Sequence, residues 1–164
     1  MNRMRTCEPG HLVALMHDRR MLFLIACIFP ILFILSIPGA PALGDAPVIE
    51  LRIDAHRITA EVADTEPLRR HGLMFREHLP ENHGMLFVWN EPARYAMWML
   101  NTPLPLSVAF IDADGRIVNI EDMQPDTTRT HQAAAPVIYA LEMEQGWFAA
   151  RGIRAGDRVG GLPE

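Results

Sequence analysis

The sequence predicts a β-rich α+β domain, with seven or eight mostly antiparallel strands curled into a barrel-like or sandwich-like sheet and two short helices. Three observations predict it. Segments of five to eight residues either alternate apolar and polar side chains or are apolar throughout, as half-buried and buried strands do. Turn-forming residues such as Asp54-Ala55-His56 and Asp112-Ala113-Asp114-Gly115 separate consecutive runs. Helix caps, by contrast, frame only two brief stretches. Tight sequential hairpins favour an antiparallel sheet that curls to protect its edges.

Taken in order, Val48–Ile53 (VIELRI) and Arg57–Val62 (RITAEV) read as a hairpin. Asp64 or Thr65 can cap a following helix, with Glu66 and Pro67 in the first turn, where each is favoured. That helix carries Leu68, Arg69, Arg70 and His71, and Gly72 is its natural stop. Leu73–His83 reads as loop. Gly84–Trp89 (GMLFVW) is apolar throughout, hence a buried strand; Asn90-Glu91-Pro92 turns the chain into a second apolar strand, Tyr95–Leu100 (YAMWML). Asn101-Thr102-Pro103-Leu104-Pro105 is excluded from a sheet interior, because two prolines remove ladder donors. Leu106–Ile111 and Arg116–Ile120 form a hairpin, and Met123–Ala135 is a long polar excursion. Val137–Glu144 (VIYALEME) is a strand, Gln145–Arg151 a short helix closed by Gly152, and a last strand lies around Val159.

Residues 1–44 read as an address label. Arg19 and Arg20 precede Met21–Ile37, seventeen residues without a charge, then Pro38-Gly39 and a small-residue site, Ala42-Leu43-Gly44, ahead of Asp45. A positive end, a short apolar core and small residues make a secretory signal peptide. The expectation is therefore one periplasmic or secreted domain over residues 45–164. The alternative is an uncleaved anchor, since seventeen residues reach the lower limit of a membrane span, about 17–25. Leu24-Ile25-Ala26-Cys27 imitates a lipoprotein box, but most of the apolar run follows the Cys, which is the wrong order. Translation from Met16 would leave His17-Asp18-Arg19-Arg20 as a conventional leader.

From residue 45 onward the composition excludes several chemistries. Cys7 and Cys27 both lie in the leader, so the mature chain has neither a disulfide nor a thiol nucleophile. Eleven arginines face eighteen acids, which argues against a nucleic-acid footprint and against a polybasic membrane patch. Membrane contact is expected only through an uncleaved leader. The chain contains no lysine, which removes Schiff-base chemistry and the P-loop lysine. Ser107 is the one serine after residue 44 and sits in a strand without a nucleophile elbow.

A set of short motifs is distinctive: Arg70-His-Gly-Leu-Met-Phe-Arg76, Gly84-Met-Leu-Phe87, Met97-Trp-Met-Leu-Asn-Thr102, Phe110-Ile-Asp-Ala-Asp-Gly115, Tyr139-Ala-Leu-Glu142 and Gly152-Ile-Arg-Ala-Gly-Asp157. In this order, over about Val48 to Gly160, they closely resemble the family called domain of unknown function 192. The resemblance implies a β-rich fold in small exported or stand-alone, largely prokaryotic proteins, with no established activity. Members of that family often carry a Pro-Cys pair after the fifth strand. Here that loop reads Met123-Gln124-Pro125-Asp126, so a role resting on that Cys is absent.

Arg76, Trp98, Asn101 and Thr102 are the leading candidates for a site. Trp98 lies on the strand face opposite Met97 and Met99, and Asn101 and Thr102 follow at the strand end, where loops build sites. Arg and Asn beside an aromatic wall suit a small polar ligand or a peptide segment. The opposing reading makes Trp98 core, ties Asn101 and Thr102 to the loop backbone, and pairs Arg76 with a nearby acid. An enzyme would use carboxylates such as Asp112 or Asp157, with Glu142 also available. Met97 and Met99 with His71, His78, His83 or His131 suggest a copper-binding alternative, although methionine also fills irregular cores. A structural or partner-docking module is the fourth reading. The histidine spacing matches no zinc motif, and Asp112–Gly115 lacks the later ligands of a calcium loop, so neither a metal nor another cofactor is expected.

Overall fold

The computed structural model describes residues 46–163. The leader, with its export, anchoring and start-codon expectations, lies outside them. Strands β1 (Val48–Ile53) and β2 (His56–Ala63) form the expected hairpin, in register from Val48 opposite Glu61 to Ile53 opposite His56. Asp54 makes the turn at φ 51°. Helix α1 (Glu66–His71) follows, with Thr65 as N-cap: its hydroxyl accepts from the Leu68 N–H at 3.4 Å. Gly72 at φ 51° returns its N–H to the Leu68 carbonyl, because a side chain there would meet both a left-handed backbone and the Phe87 ring.

Six further strands complete the scaffold before the last helix and strand. These are β3 (His83–Ala93), β4 (Ala96–Met97), β5 (Leu106–Ile111), β6 (Ile117–Met123), β7 (His131–Gln132) and β8 (Val137–Glu144). Helix α2 (Trp147–Ala150) and strand β9 (Val159–Gly160) end the chain. Seven strands make one curled sheet in the order β6-β5-β8-β3-β2-β1-β9; β4 and β7 form a separate ribbon. All pairings are antiparallel except β2 with β3, which run parallel. A parallel pair needs a crossover of a dozen or more residues. The segment containing α1 supplies it.

Both faces of the central strands are covered. Leu86, Ala109, Ile111, Tyr139, Leu141 and Met143 pack with Trp147 and Phe148 of α2 on one face. Met85, Phe87, Val108, Phe110 and Ala140 pack with Leu73, Met97, Met99 and Leu104 on the other. This double burial explains why β3, β5 and β8 read as nearly continuous apolar runs.

Several expectations are corrected. Tyr95–Leu100 is not a six-residue strand. Only Ala96–Met97 pairs, and Trp98–Thr102 peels away in a turn where the Met99 N–H reaches the Thr127 carbonyl. Pro103 and Pro105 end the segment as anticipated, but local polar bonding takes over five residues sooner. Asn90-Glu91-Pro92 does not turn the chain, since β3 continues to Ala93 with an irregularity between Val88 and Ala93. The Met123–Ala135 excursion contains β7. Alternation in the Met97–Met99 segment does hold: Met97 and Met99 are buried while Trp98 is 52% exposed, so Trp98 is not core.

Gly84 sits where β3 meets β8. A Cβ there would overlap the Glu142 carbonyl and the Met143 sulfur. Gly84→Ala should therefore cost about 1–3 kcal/mol, as overpacking does, seen as a lower urea midpoint with an unchanged m-value. A neutral result would mean that β3 and β8 can part without loss.

Candidate functional site

Helix α1 lies over the crossover it belongs to, and a cleft of about 510 Å³ opens beside it. Its walls come from Glu66, Arg69, Arg70 and His71 of α1, from Leu73 and Met74, and from Phe87 and Trp89 of β3. Met97, Trp98 and Thr102 close it on the β4 side, and Glu142 of β8 lies within it. An aromatic ladder runs along one edge. Phe87 and Trp89 stack at 6.2 Å, and Trp89 and Tyr95 at 4.0 Å with planes 9° apart. The Tyr95 hydroxyl donates to the Glu91 carbonyl, which holds the end of that ladder in place.

Glu142 is the unusual residue. It is 3% exposed, and its cross-strand neighbours are Met85 on β3 and Val108 on β5. Among the described residues no hydrogen bond or ion pair reaches its carboxyl. Burial alone pushes its pKa up from 4.5 to about 8, so it holds its proton at neutral pH. As a neutral acid it offers a hydroxyl donor and a carbonyl acceptor to whatever enters the cleft.

Arg69 is the second. Its Nη1 donates to the Val88 carbonyl at 2.7 Å and to the Asp64 carbonyl, clamping α1 to β3. Among the described residues the opposite Nε/Nη2 edge of the guanidinium makes no hydrogen bond. Nε is buried without a partner, and Nη2 has only a 3.6 Å contact with Glu66. The guanidinium is thus fixed in orientation and brings a positive charge to the α1 side of the cleft.

The sequence-derived candidates are distributed differently. Trp98 and Thr102 line the cleft; the buried Thr102 hydroxyl donates to the Leu100 carbonyl at 3.1 Å. Arg76 and Asn101 are not among its walls. Both terminal nitrogens of Arg76 reach Glu61 at 2.6 Å, a bidentate pair on partly exposed side chains, and that hydrogen bonding raises the Arg76 pKa. Asn101 sits at φ 53° and its carbonyl accepts from the Phe75 N–H, joining the two loops at the cleft's outer side. Phe75, Trp98 and Leu100 on these loops are exposed.

Asp112 and Asp157 serve turns. Asp112 Oδ1 accepts from the N–H groups of Asp114 and Arg116, and Asp157 Oδ2 from that of Arg154. Ser107 donates to Asp122 across the β5–β6 pair and accepts from the Gly146 N–H. Met85, Met97, Met99 and Met123 share one apolar cluster, and His131 is buried with Nδ1 2.8 Å from Glu121. Among the described residues no group of three His, Cys, Asp or Glu is placed to hold a metal.

Arg69 and Glu142 carried a signal that was readable only in part. Glu142, the first of two glutamates in VIYALEME, breaks the apolar run inside the strand, which marks a buried carboxyl. Which face it occupies, and that it lines the same cleft as α1, are set by pairings distant in sequence.

Glu142 generates a pH prediction. The unfolded chain releases this proton near 4.5 and the folded one near 8, so this group's contribution to stability falls as pH rises between those values. The slope approaches 1.4 kcal/mol per pH unit, an order-of-magnitude limit set by one proton. Glu142→Gln keeps the shape without the charge. Its stability advantage over the wild type should grow from about pH 5 to about pH 8 in chemical unfolding; a constant difference would mean Glu142 ionises normally.

Comparison with known proteins agrees with this architecture. The family model DUF192, described as an uncharacterized ACR, matches residues 49–161. A crystal structure from Sinorhizobium meliloti 1021, named for a proposed role as a transcription regulator, is 36% identical with a TM-score of 0.70, covering 73% of this chain and 98% of that one. A protein of unknown function from Novosphingobium aromaticivorans DSM 12444 is 33% identical with a TM-score of 0.65, covering 73% and 89%. A search of curated proteins finds no match. With motifs, fold and family model coinciding over the same residues, this chain belongs to the uncharacterized DUF192 family.

Proposed function

We propose that the chain is an exported small-ligand binding or accessory module, and that its site is the cleft beside α1 rather than the Arg76 pair. One observation carries the reading: a buried Glu142 carboxyl, without a hydrogen-bond partner among the described residues, in a cleft whose other walls include Arg69 and two tryptophans. Isolated buried polar groups destabilise a fold, and a ligand is what would satisfy them. The cleft volume of about 510 Å³ suits a small organic molecule. Trp98 supplies a broad exposed surface at the entrance.

The transcriptional role proposed for the Sinorhizobium relative finds no support in this chain's charge, eleven arginines against eighteen acids beyond residue 44. A peptide or protein partner is the second reading, favoured by Phe75, Trp98 and Leu100 exposed on two linked loops. An enzyme reading would now place a general acid at Glu142 instead of Asp112 or Asp157, since a carboxyl with a raised pKa in a cleft has that capacity.

Two measurements test the proposal. A mixture of small aromatic acids, amides and amines, followed by amide NMR, should shift Leu73, Trp98 and Thr102, and Trp98→Ala should weaken those shifts by about tenfold in affinity, roughly 1.4 kcal/mol. Shifts confined to Phe75 and Leu100 with a peptide probe would favour the docking reading. For export, N-terminal sequencing of periplasmic or secreted material should begin near Asp45; an intact leader on cytoplasmic protein would remove that half of the proposal.

A further inference from the structure

We propose that the cleft takes a monocarboxylate with an apolar or aromatic body, its head on the α1 side of the cleft, where Arg69, Arg70 and His71 gather, and its body against Trp89 and Trp98. This deepens, and rests on, the binding-module reading. The charge distribution comes first. Beyond residue 44 the chain is acidic, yet the cleft gathers Arg69, Arg70 and His71 against the single formal anion Glu66, which already contacts both arginines at 3.6 and 3.0 Å. The local field favours an anion on an otherwise negative surface.

Donor geometry narrows the class. Nη1 of Arg69 is committed to two backbone carbonyls, its Nε is closed off from solvent and its Nη2 faces Glu66, so an anionic head is held by the positive charge on the α1 side of the cleft and not by a bidentate fork. Glu142 adds a hydroxyl donor while neutral and would repel an anion only when ionised. Thr102 spends its hydroxyl proton on the Leu100 carbonyl, so it supplies no competing donor. The remaining walls, Phe87, Trp89, Met97 and Trp98, are apolar or aromatic. They suit a hydrocarbon or ring better than a second charge or a sugar.

Phenylacetate, phenylacetamide and phenethylamine test the assignment by isothermal titration of the full chain, because they share a ring and differ in the head. At about pH 6.5 phenylacetate should bind about tenfold more tightly than either of the others. At about pH 9 its affinity should fall about fivefold as Glu142 ionises, and Glu142→Gln should abolish that fall. Titratable and charged groups lining the cleft are Glu66, Arg69, Arg70 and His71 on α1, with none besides Glu142 on the strands; repeating the series in His71→Gln isolates Glu142.

Because Arg69 also clamps α1 to β3, Arg69→Gln is paired with Arg69→Lys, which keeps the charge but loses the fork. Arg69→Gln should lose about tenfold in phenylacetate affinity while Arg69→Lys retains it, with circular dichroism confirming the fold; equal binding by both would overturn the role of the α1 charge. If the amine or the amide binds best, or affinity rises with pH, the carboxylate class is overturned while the binding module stands. If none of the three probes binds, the module reading falls with it.

Discussion

The parallel pairing of β2 with β3 is the constraint on which the rest of the structure depends. Antiparallel neighbours can be joined by two residues, but Thr59 opposite His83 through Ala63 opposite Phe87 run in the same direction. The chain must therefore leave the sheet after Ala63, travel back along it and re-enter at His83. Everything that makes the cleft comes from that detour. It contains α1 with its Thr65 cap and Gly72 stop, and it returns Leu73 to the apolar cluster shared by Phe87 and Met97. Arg69 then fixes the helix by donating to the Val88 carbonyl on the strand that the detour makes possible. The same detour brings α1 to the cleft that Glu142 also lines.

Local features of this path were legible in the residues. Thr65, Pro67 and Gly72 each have one dominant structural use, and each is used that way. The β1–β2 hairpin and the β5–β6 hairpin follow from alternation and from Asp54 and Gly115, which sit at positive φ in their turns. The Tyr95–Leu100 run misled because apolar content alone does not distinguish a strand from a turn lying over a core. Met97 and Met99 are buried in either case, whereas Trp98 is exposed by the peeling away of the backbone. Such tertiary competition has no local signature.

The candidate site was legible to a lesser degree, for a related reason. Trp98 and Thr102 were accessible to reasoning because strand ends carry binding loops. Arg76 looked equivalent to Arg69, seven residues earlier, and composition cannot rank two arginines. Their difference lies in their partners. Arg76 finds Glu61 on β2, and both its terminal nitrogens are taken at 2.6 Å. Arg69 finds backbone carbonyls on one side and a loose 3.6 Å contact on the other. Only pairings distant in sequence, Arg76 with Glu61 fifteen positions away and Arg69 with Val88 nineteen away, tell the two arginines apart.

That distinction between satisfied and unsatisfied polar groups also orders the functional readings. The Arg76–Glu61 pair is complete, and so are the turn roles of Asp112 and Asp157; such groups explain why the domain folds and have little left for a ligand. Glu142 is different in kind. Flanked by Met85 and Val108, its position would be filled at lower cost by methionine or leucine, which would retain the packing without burying a carboxyl. A residue that breaks the pattern of its own strand and receives no partner from the fold is a local inconsistency of the sort that marks functional sites. Its proton makes the inconsistency tolerable at neutral pH, because a neutral acid is far less costly to bury than a carboxylate. The same proton removes a negative charge from the cleft that Arg69 also lines. Stability and binding therefore converge on one titrating group, and the chemistry of the cleft follows from the protonation state that its burial imposes.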